Sequence, residues 1–171
     1  MTGLRKDGYP LIVTAGVVYK DDAVLIARRT AGALEGLWEF PGGKLERGES
    51  PEECLARELR EELGLNVEIE DIFRVVYHVY AHGPVLLLAY RCRPVDTKPG
   101  DAGQPPRSTE GVLRKLHGQG QPVHGPMPGV ARTSRAENPP SRWVRISDLP
   151  LYSFTPADKP IVEKLLRSGT L

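Results

Sequence analysis

Glu58, Glu61 and Glu62 stand at positions i, i+3 and i+4. In a helix this spacing brings their carboxylates to one side. Like charges so placed repel one another. Such a cluster is tolerated when a cation sits among them, commonly a hard divalent metal held by oxygen. Glu46, Glu49, Glu52 and Glu53 crowd the same stretch. Just upstream, Gly42-Gly43 lets the backbone turn sharply and aim a carbonyl at a metal. Arg57 can orient a neighbouring carboxylate through a charge-assisted hydrogen bond. Oxygen donors of this kind hold Mg²⁺ or Mn²⁺, with water completing the shell. An ion held there neutralises a polyphosphate, polarises a phosphorus centre and lowers the pKa of a bound water. The chemistry that follows is metal-assisted hydrolysis of a phosphoanhydride. A solvated helix laced with ion pairs would share part of the pattern, since Arg57 lies four residues before Glu61.

The acids need a helix with a defined start and end. Ser50 can cap it, Pro51 suits its first position, and Glu53 completes a capping box with Ser50. Gly64 stops it. Leu55, Ala56, Leu59 and Leu63 form an apolar stripe, so the helix packs by one face and offers carboxylates from the next. Residues 12–19 and 23–27 read as two strands around the turn Lys20-Asp21-Asp22. Trp38-Glu39-Phe40 is a short extended piece ended by Pro41-Gly42-Gly43. Residues 67–69, 72–80 and 85–92 read as further strands, with Ala81-His82-Gly83-Pro84 as a hairpin connection, and 143–146 as one more. Residues 155–167 read as a second helix, capped by Thr155, with Ile161, Leu165 and Leu166 facing inward. The sum is a mixed sheet with helices on it. Between them, about 96–141, Gly and Pro are scattered and basic residues outnumber acidic ones. That composition fits either a mobile surface excursion or a basic arm over an anionic substrate, using Arg107, Arg114, Lys115, Arg132 and Arg135.

The chain has 171 residues, the size of one domain able to bury a core. A net charge of +1 gives no global field that would recruit nucleic acid or a membrane surface. Cys54 and Cys92 lie far apart without metal-ligand spacing and read as buried apolar side chains in a reducing compartment. There is no apolar run of membrane-spanning length and no signal-like apolar core near Met1. The expectation is a cytoplasmic protein with a single domain over 1–171.

Read as one string, Gly43-x5-Glu49-x7-Arg57-Glu58-Leu59-x-Glu61-Glu62-x-Gly64-Leu65 matches every fixed position of the Nudix hydrolase signature. The chain resembles that family. Arg28-Arg29, Trp38 to Lys44, and Phe154-Thr155-Pro156-Ala157-Asp158 look like its MutT-type branch. The resemblance covers most of the chain except 96–141, where nothing matches until Glu137. It implies an α/β/α sandwich with a mixed sheet, Mg²⁺ dependence, and cleavage of a nucleoside diphosphate linked to a further moiety. It implies that the Gly43 carbonyl, Glu58, Glu61 and Glu62 hold metal and that Arg57 orients them. Glu49 would belong to an outer shell or a further metal site. Glu58 matches a position that serves either as base or as ligand, and both roles stay open. Many relatives take another acid from a loop ahead of a late tryptophan; Glu137, six residues before Trp143, fits that place.

The branch implies a nucleoside triphosphate cleaved to monophosphate and pyrophosphate. Arg28 and Phe40 would border the base, and Asp158 would read its edge. The enzyme that names the branch has an amide where Asp158 stands. An ionised carboxylate only accepts hydrogen bonds, from cytosine N4, adenine N6 or guanine N1 and N2. A protonated one could donate to a carbonyl. An oxidised or modified dNTP and a cytosine nucleotide are both compatible. A non-catalytic nucleotide-binding module is the alternative in another class; such modules generally lose the box glutamates, and this chain keeps them. An isomerase on the same fold would want a pocket cysteine, which neither Cys54 nor Cys92 offers. Tyr77, Tyr80, Trp38 and Trp143 read as core aromatics, and His78 and His82 as packing or surface groups.

Overall fold

The computed structural model describes residues 9–95 and 140–169. Glu137 and nearly all of the 96–141 stretch lie outside the described residues. The β-branched, apolar run after Pro10 forms β1, Leu11–Lys20, which turns at Asp21-Asp22 into the antiparallel β2, Ala23–Arg28. Asp21 takes the left-handed backbone of a tight turn, at φ 56°. β3, Trp38–Glu39, pairs with the end of β2. Helix α1, Pro51–Leu63, follows, then β4, Val67–Tyr80, and β5, Gly83–Pro94. β6, Ser141–Arg145, leads into a 3₁₀ helix, Ile146–Leu151, and helix α2, Lys159–Ser168, closes the chain. No helix among the described residues is long and apolar enough to cross a membrane.

The sheet runs β3-β2-β1-β5-β4, with β6 also on β2. β1 and β5 are parallel and the other pairs antiparallel, so the sheet is mixed. Alternation along the strands then makes two cores. Val17, Val24, Ile26, Leu87 and Ala89 face one way and pack with Ile161, Val162 and Leu165 of α2. Val18, Leu25, Tyr90 and Cys92 face the other way and meet Leu55 and Leu59 of α1. A helix on each face is the expected sandwich.

α1 begins as its sequence dictates. The Ser50 side chain accepts from the Glu53 amide, the Glu53 carboxylate accepts from the Ser50 amide, and Gly64 closes the helix at φ 65°. The region 67–80 forms one strand instead of two, with register shifts on either side of Ile72. α2 starts at Lys159, later than expected. Residues 153–155 instead run beside β3, with Trp38 N–H on the Ser153 carbonyl and Thr155 N–H on the Trp38 carbonyl. Leu166 is exposed, and Val162 takes the inward position. Trp143 is 43% exposed and Tyr77 62%, so neither is a core anchor; Trp38 and Tyr80 do pack against the core. Both cysteines are free and buried, as expected.

Candidate active site

Two backbone hydrogen bonds hold the Pro41-Gly42-Gly43 segment on β1: Gly16 N–H to the Pro41 carbonyl and Thr14 N–H to the Gly43 carbonyl, each 2.8 Å. Neither glycine is there for a left-handed backbone, since neither has positive φ. Close approach is the reason for both. A Cβ on Gly42 would lie 2.8 Å from the Thr14 carbonyl carbon and nearer still to its oxygen. A Cβ on Gly43 would lie 2.6 Å from Glu58 Cγ and overlap the carboxylate. The loop therefore sits flush on β1, and Glu58 sits flush on the loop.

The Gly43 carbonyl, expected to face a metal, also accepts from the Thr14 hydroxyl at 3.3 Å. The Cys54 thiol of α1 is a third donor to it, at 3.8 Å. In an extended segment successive carbonyls point to opposite sides. Pro41 and Gly43 are both bonded to β1, and by this alternation the Gly42 carbonyl is expected on the other side.

Arg57 is the cation among the acids. Its Nε and Nη2 grip Glu49 at 3.1 and 2.8 Å, Nη1 donates to Glu58 at 2.9 Å, and Glu61 lies 3.5 Å from Nη1. Glu49 in turn accepts from the Glu46 amide at 2.7 Å. The hydrogen bonds from Arg57 hold the Glu49 carboxyl down at about 2, well below the ordinary value. Paired carboxylates hold the Arg57 guanidinium above its ordinary value.

Among the described residues Glu62 has no such hydrogen-bonded partner, and Arg29 lowers its pKa only through charge. Burial raises its carboxyl to about 7, with the negative charge of Glu58, Glu39 and Glu61 adding to the effect. Glu39 is raised too, by burial, although Arg29 Nη1 lies 2.6 Å from it. Arg29 Nε is buried with no hydrogen-bond partner among the described residues. The Arg29–Glu39 pair was missed from sequence, yet its signal was there. Trp38 and Phe40 turn to the α2 side, so Glu39 between them must face the α1 side.

Among the described residues no three acids converge tightly enough to enclose an ion in this arrangement. Arg57 draws Glu49, Glu58 and Glu61 toward itself. The donor set nevertheless fits a hard divalent ion: all oxygen, and with uncompensated negative charge centred on Glu62.

The residues expected at the base are differently disposed. Phe40 is 3% exposed and stacks on Phe154 at 5.6 Å, within the core. Arg28 is exposed, its Nε donating to the Gly36 carbonyl. Asp158 is 5% exposed and both its oxygens are engaged, Oδ1 by the Phe40 amide and Oδ2 by the Thr155 hydroxyl. Burial pushes its carboxyl up to about 7 against those two hydrogen bonds. It makes no side-chain cap bond to α2.

The family model described as a NUDIX domain matches residues 13–164. The chain belongs to the Nudix family. It is 45% identical over 74 residues to an 8-oxo-dGTP diphosphatase of Proteus vulgaris, covering 42% of this chain and 66% of that one. It is 47% identical over 58 residues to a CTP pyrophosphohydrolase of Escherichia coli, covering 33% of this chain and 43% of that one. The chain thus spans less than two thirds of the length of these curated relatives. A MutT protein structure from Methanosarcina mazei superposes with a TM-score of 0.62 at 20% identity, over 95% of this chain and 96% of that one, which establishes the shared Nudix fold. Helix α1 lies within the matched residues.

Proposed function

We propose that this Nudix chain hydrolyses a nucleoside triphosphate to the monophosphate and pyrophosphate with Mg²⁺, Mn²⁺ serving as substitute. The observation that carries this reading is the array around α1: Glu58 against Gly43, Arg57 clamped between Glu49 and Glu58 with Glu61 3.5 Å away, and Glu62 coupled by charge to Glu58 and Glu61. Glu58, Glu61 and Glu62 would hold the ion together with a backbone carbonyl of the loop, Gly43 by the family resemblance or Gly42 given that the Gly43 oxygen accepts from Thr14. When bound, the ion neutralises the phosphate chain and activates water for attack on phosphorus. The chain's own residues supply the positioning. Glu49 fixes the guanidinium of Arg57, and Arg57 fixes the Glu58 carboxylate against the Gly43 backbone. Glu62, whose carboxyl is raised to about 7 without a cation, is the acid with most to gain from one. Glu58 remains a base or a ligand, and Glu137 the further acid, both in line with the family resemblance.

The proposed substrate is an oxidised or modified dNTP. Support comes from the relative named as an 8-oxo-dGTP diphosphatase and from Asp158, whose raised pKa leaves it both protonated and ionised near neutral pH. Following the family resemblance, Asp158, Arg28 and Phe40 are assigned to the base side, with the Phe40 backbone N–H donating a hydrogen bond to Asp158 Oδ1. Because Asp158 is buried with both oxygens engaged, reading a base edge requires those contacts to open. A cytosine nucleotide is the second reading, supported by the relative named as a CTP pyrophosphohydrolase. The test is kcat/KM over normal, oxidised and methylated dNTPs and NTPs with Mg²⁺. Pyrophosphate release with preference for an oxidised purine is expected. Unchanged release in Glu61→Gln and Glu62→Gln would overturn the metal assignment.

A further inference from the structure

Among the described residues strand β4 lies at the edge of the sheet, and its two halves differ. The first half carries Glu68, Glu70 and Asp71 and the register shifts around Ile72, which are devices that keep edge strands from pairing. The second half, from Arg74 to Tyr80, is in regular register with β5 and has neither acid nor bulge. Along it Val75, Tyr77 and Val79 are 49%, 62% and 63% exposed on one face. Their β5 neighbours Leu88, Leu86 and Pro84 are only half-buried, which extends the apolar surface inward.

The sequence of this half is symmetric about Tyr77, with a valine two residues away on either side. Antiparallel pairing with a second copy, Tyr77 opposite Tyr77, sets Val75 against Val79 and Val79 against Val75. It also sets Arg74 against Tyr80 and Val76 against His78. Sliding by two residues either way leaves one of the three exposed apolar side chains without another opposite it. Centring on Arg74 would oppose two like charges. Only the Tyr77-centred register opposes all three, and cross-strand aromatic and β-branched pairs are stabilising. An edge strand paired with itself is isologous, so the assembly closes as a two-fold dimer.

We propose that residues 74–80 of β4 form the two-fold interface of a homodimer, Tyr77 lying on the axis and the sheets running on from one copy to the other. The test is sedimentation equilibrium on the full chain, followed by Tyr77→Lys. The parent is expected at twice the chain mass of 18.8 kDa at micromolar concentration, and Tyr77→Lys at the single mass with its melting profile retained. Cross-linking gives a readout independent of that variant's folding. Tyr77→Cys, on the axis, is expected to form an interchain disulfide on mild oxidation, while Val79→Cys alone is not, because it faces Val75. The native cysteines are buried and contribute no background. A monomeric parent at 100 µM (including one that instead captures a foreign strand-forming peptide), an undiminished Tyr77→Lys dimer, or absence of the Tyr77→Cys cross-link would each overturn the proposal.

Discussion

Gly42→Ala and Gly43→Ala add the same methyl group to adjacent residues, and the structure predicts opposite phenotypes. At Gly42 the new Cβ meets only backbone: the Thr14 carbonyl carbon at 2.8 Å, its oxygen nearer, and Ala15 Cα at 2.9 Å. Backbone cannot rotate away, so the loop must lift from β1. That strains or breaks the bonds from Gly16 to Pro41 and from Thr14 to Gly43. Two hydrogen bonds at about 1 kcal/mol each, with about 1–3 kcal/mol for overpacking, give a loss of about 3–5 kcal/mol. For a chain of this size that lowers Tm by on the order of 10 °C. At Gly43 the Cβ meets the Glu58 side chain, which can rotate. The loss is the partly exposed pair with Arg57 at 2.9 Å, about 1 kcal/mol. A displaced carboxylate no longer presents its oxygen to an ion, and a misplacement of about 1 Å costs about 100-fold in turnover. Differential scanning calorimetry and a pyrophosphate-release assay on both variants check this. Gly43→Ala with parental turnover, or Gly42→Ala with parental stability, would refute the close-approach reasoning.

Arg57→Lys keeps the charge but loses the two-pronged grip on Glu49, so kcat should fall about 10- to 100-fold with KM changed less, measured by steady-state kinetics. The raised Asp158 carboxyl binds its proton more tightly in the folded chain, so its contribution to stability is full below about pH 4 and is lost as pH rises through about 7. Asp158→Asn keeps an acceptor for the Phe40 amide, and urea denaturation at several pH values should show part of that slope removed. Glu49 has the opposite sign: its contribution is present above about pH 4.5 and is lost as pH falls through about 2, and Glu49→Gln should blunt acid unfolding.

The boundaries of α1 were legible because its caps are local chemistry: Ser50, Pro51, Glu53 and Gly64 act within a turn of the helix ends. The mixed sheet with helices on it was legible from the strand and helix segments and the family resemblance, while the division of β1, β2 and β5 side chains between two cores shows only in the fold. The start of α2 was not legible, because Thr155-Pro156 mimics a helix opening while the partner that holds 153–155 extended is β3, far away in sequence. Trp143 and Tyr77 were misplaced because hydrophobic type does not say whether a strand face is covered. The clustering of Glu58, Glu61 and Glu62 was read correctly as a charge problem, but its first answer in the fold is Arg57, which satisfies Glu49 and Glu58. Among the described residues Glu62 has no hydrogen bond or ion pair of its own and feels Arg29 only through charge, and no sequence spacing shows that, because Glu39 and its partner Arg29 arrive from β3 and the end of β2.

Whether that remaining negative charge seats a divalent ion decides the metal assignment. Calorimetric titration of Mn²⁺ into the chain with a non-hydrolysable nucleotide tests it most directly. The prediction is saturable binding in the parent, weakened at least tenfold in Glu62→Gln. Saturable binding of equal strength in both, or none in the parent, would contradict it.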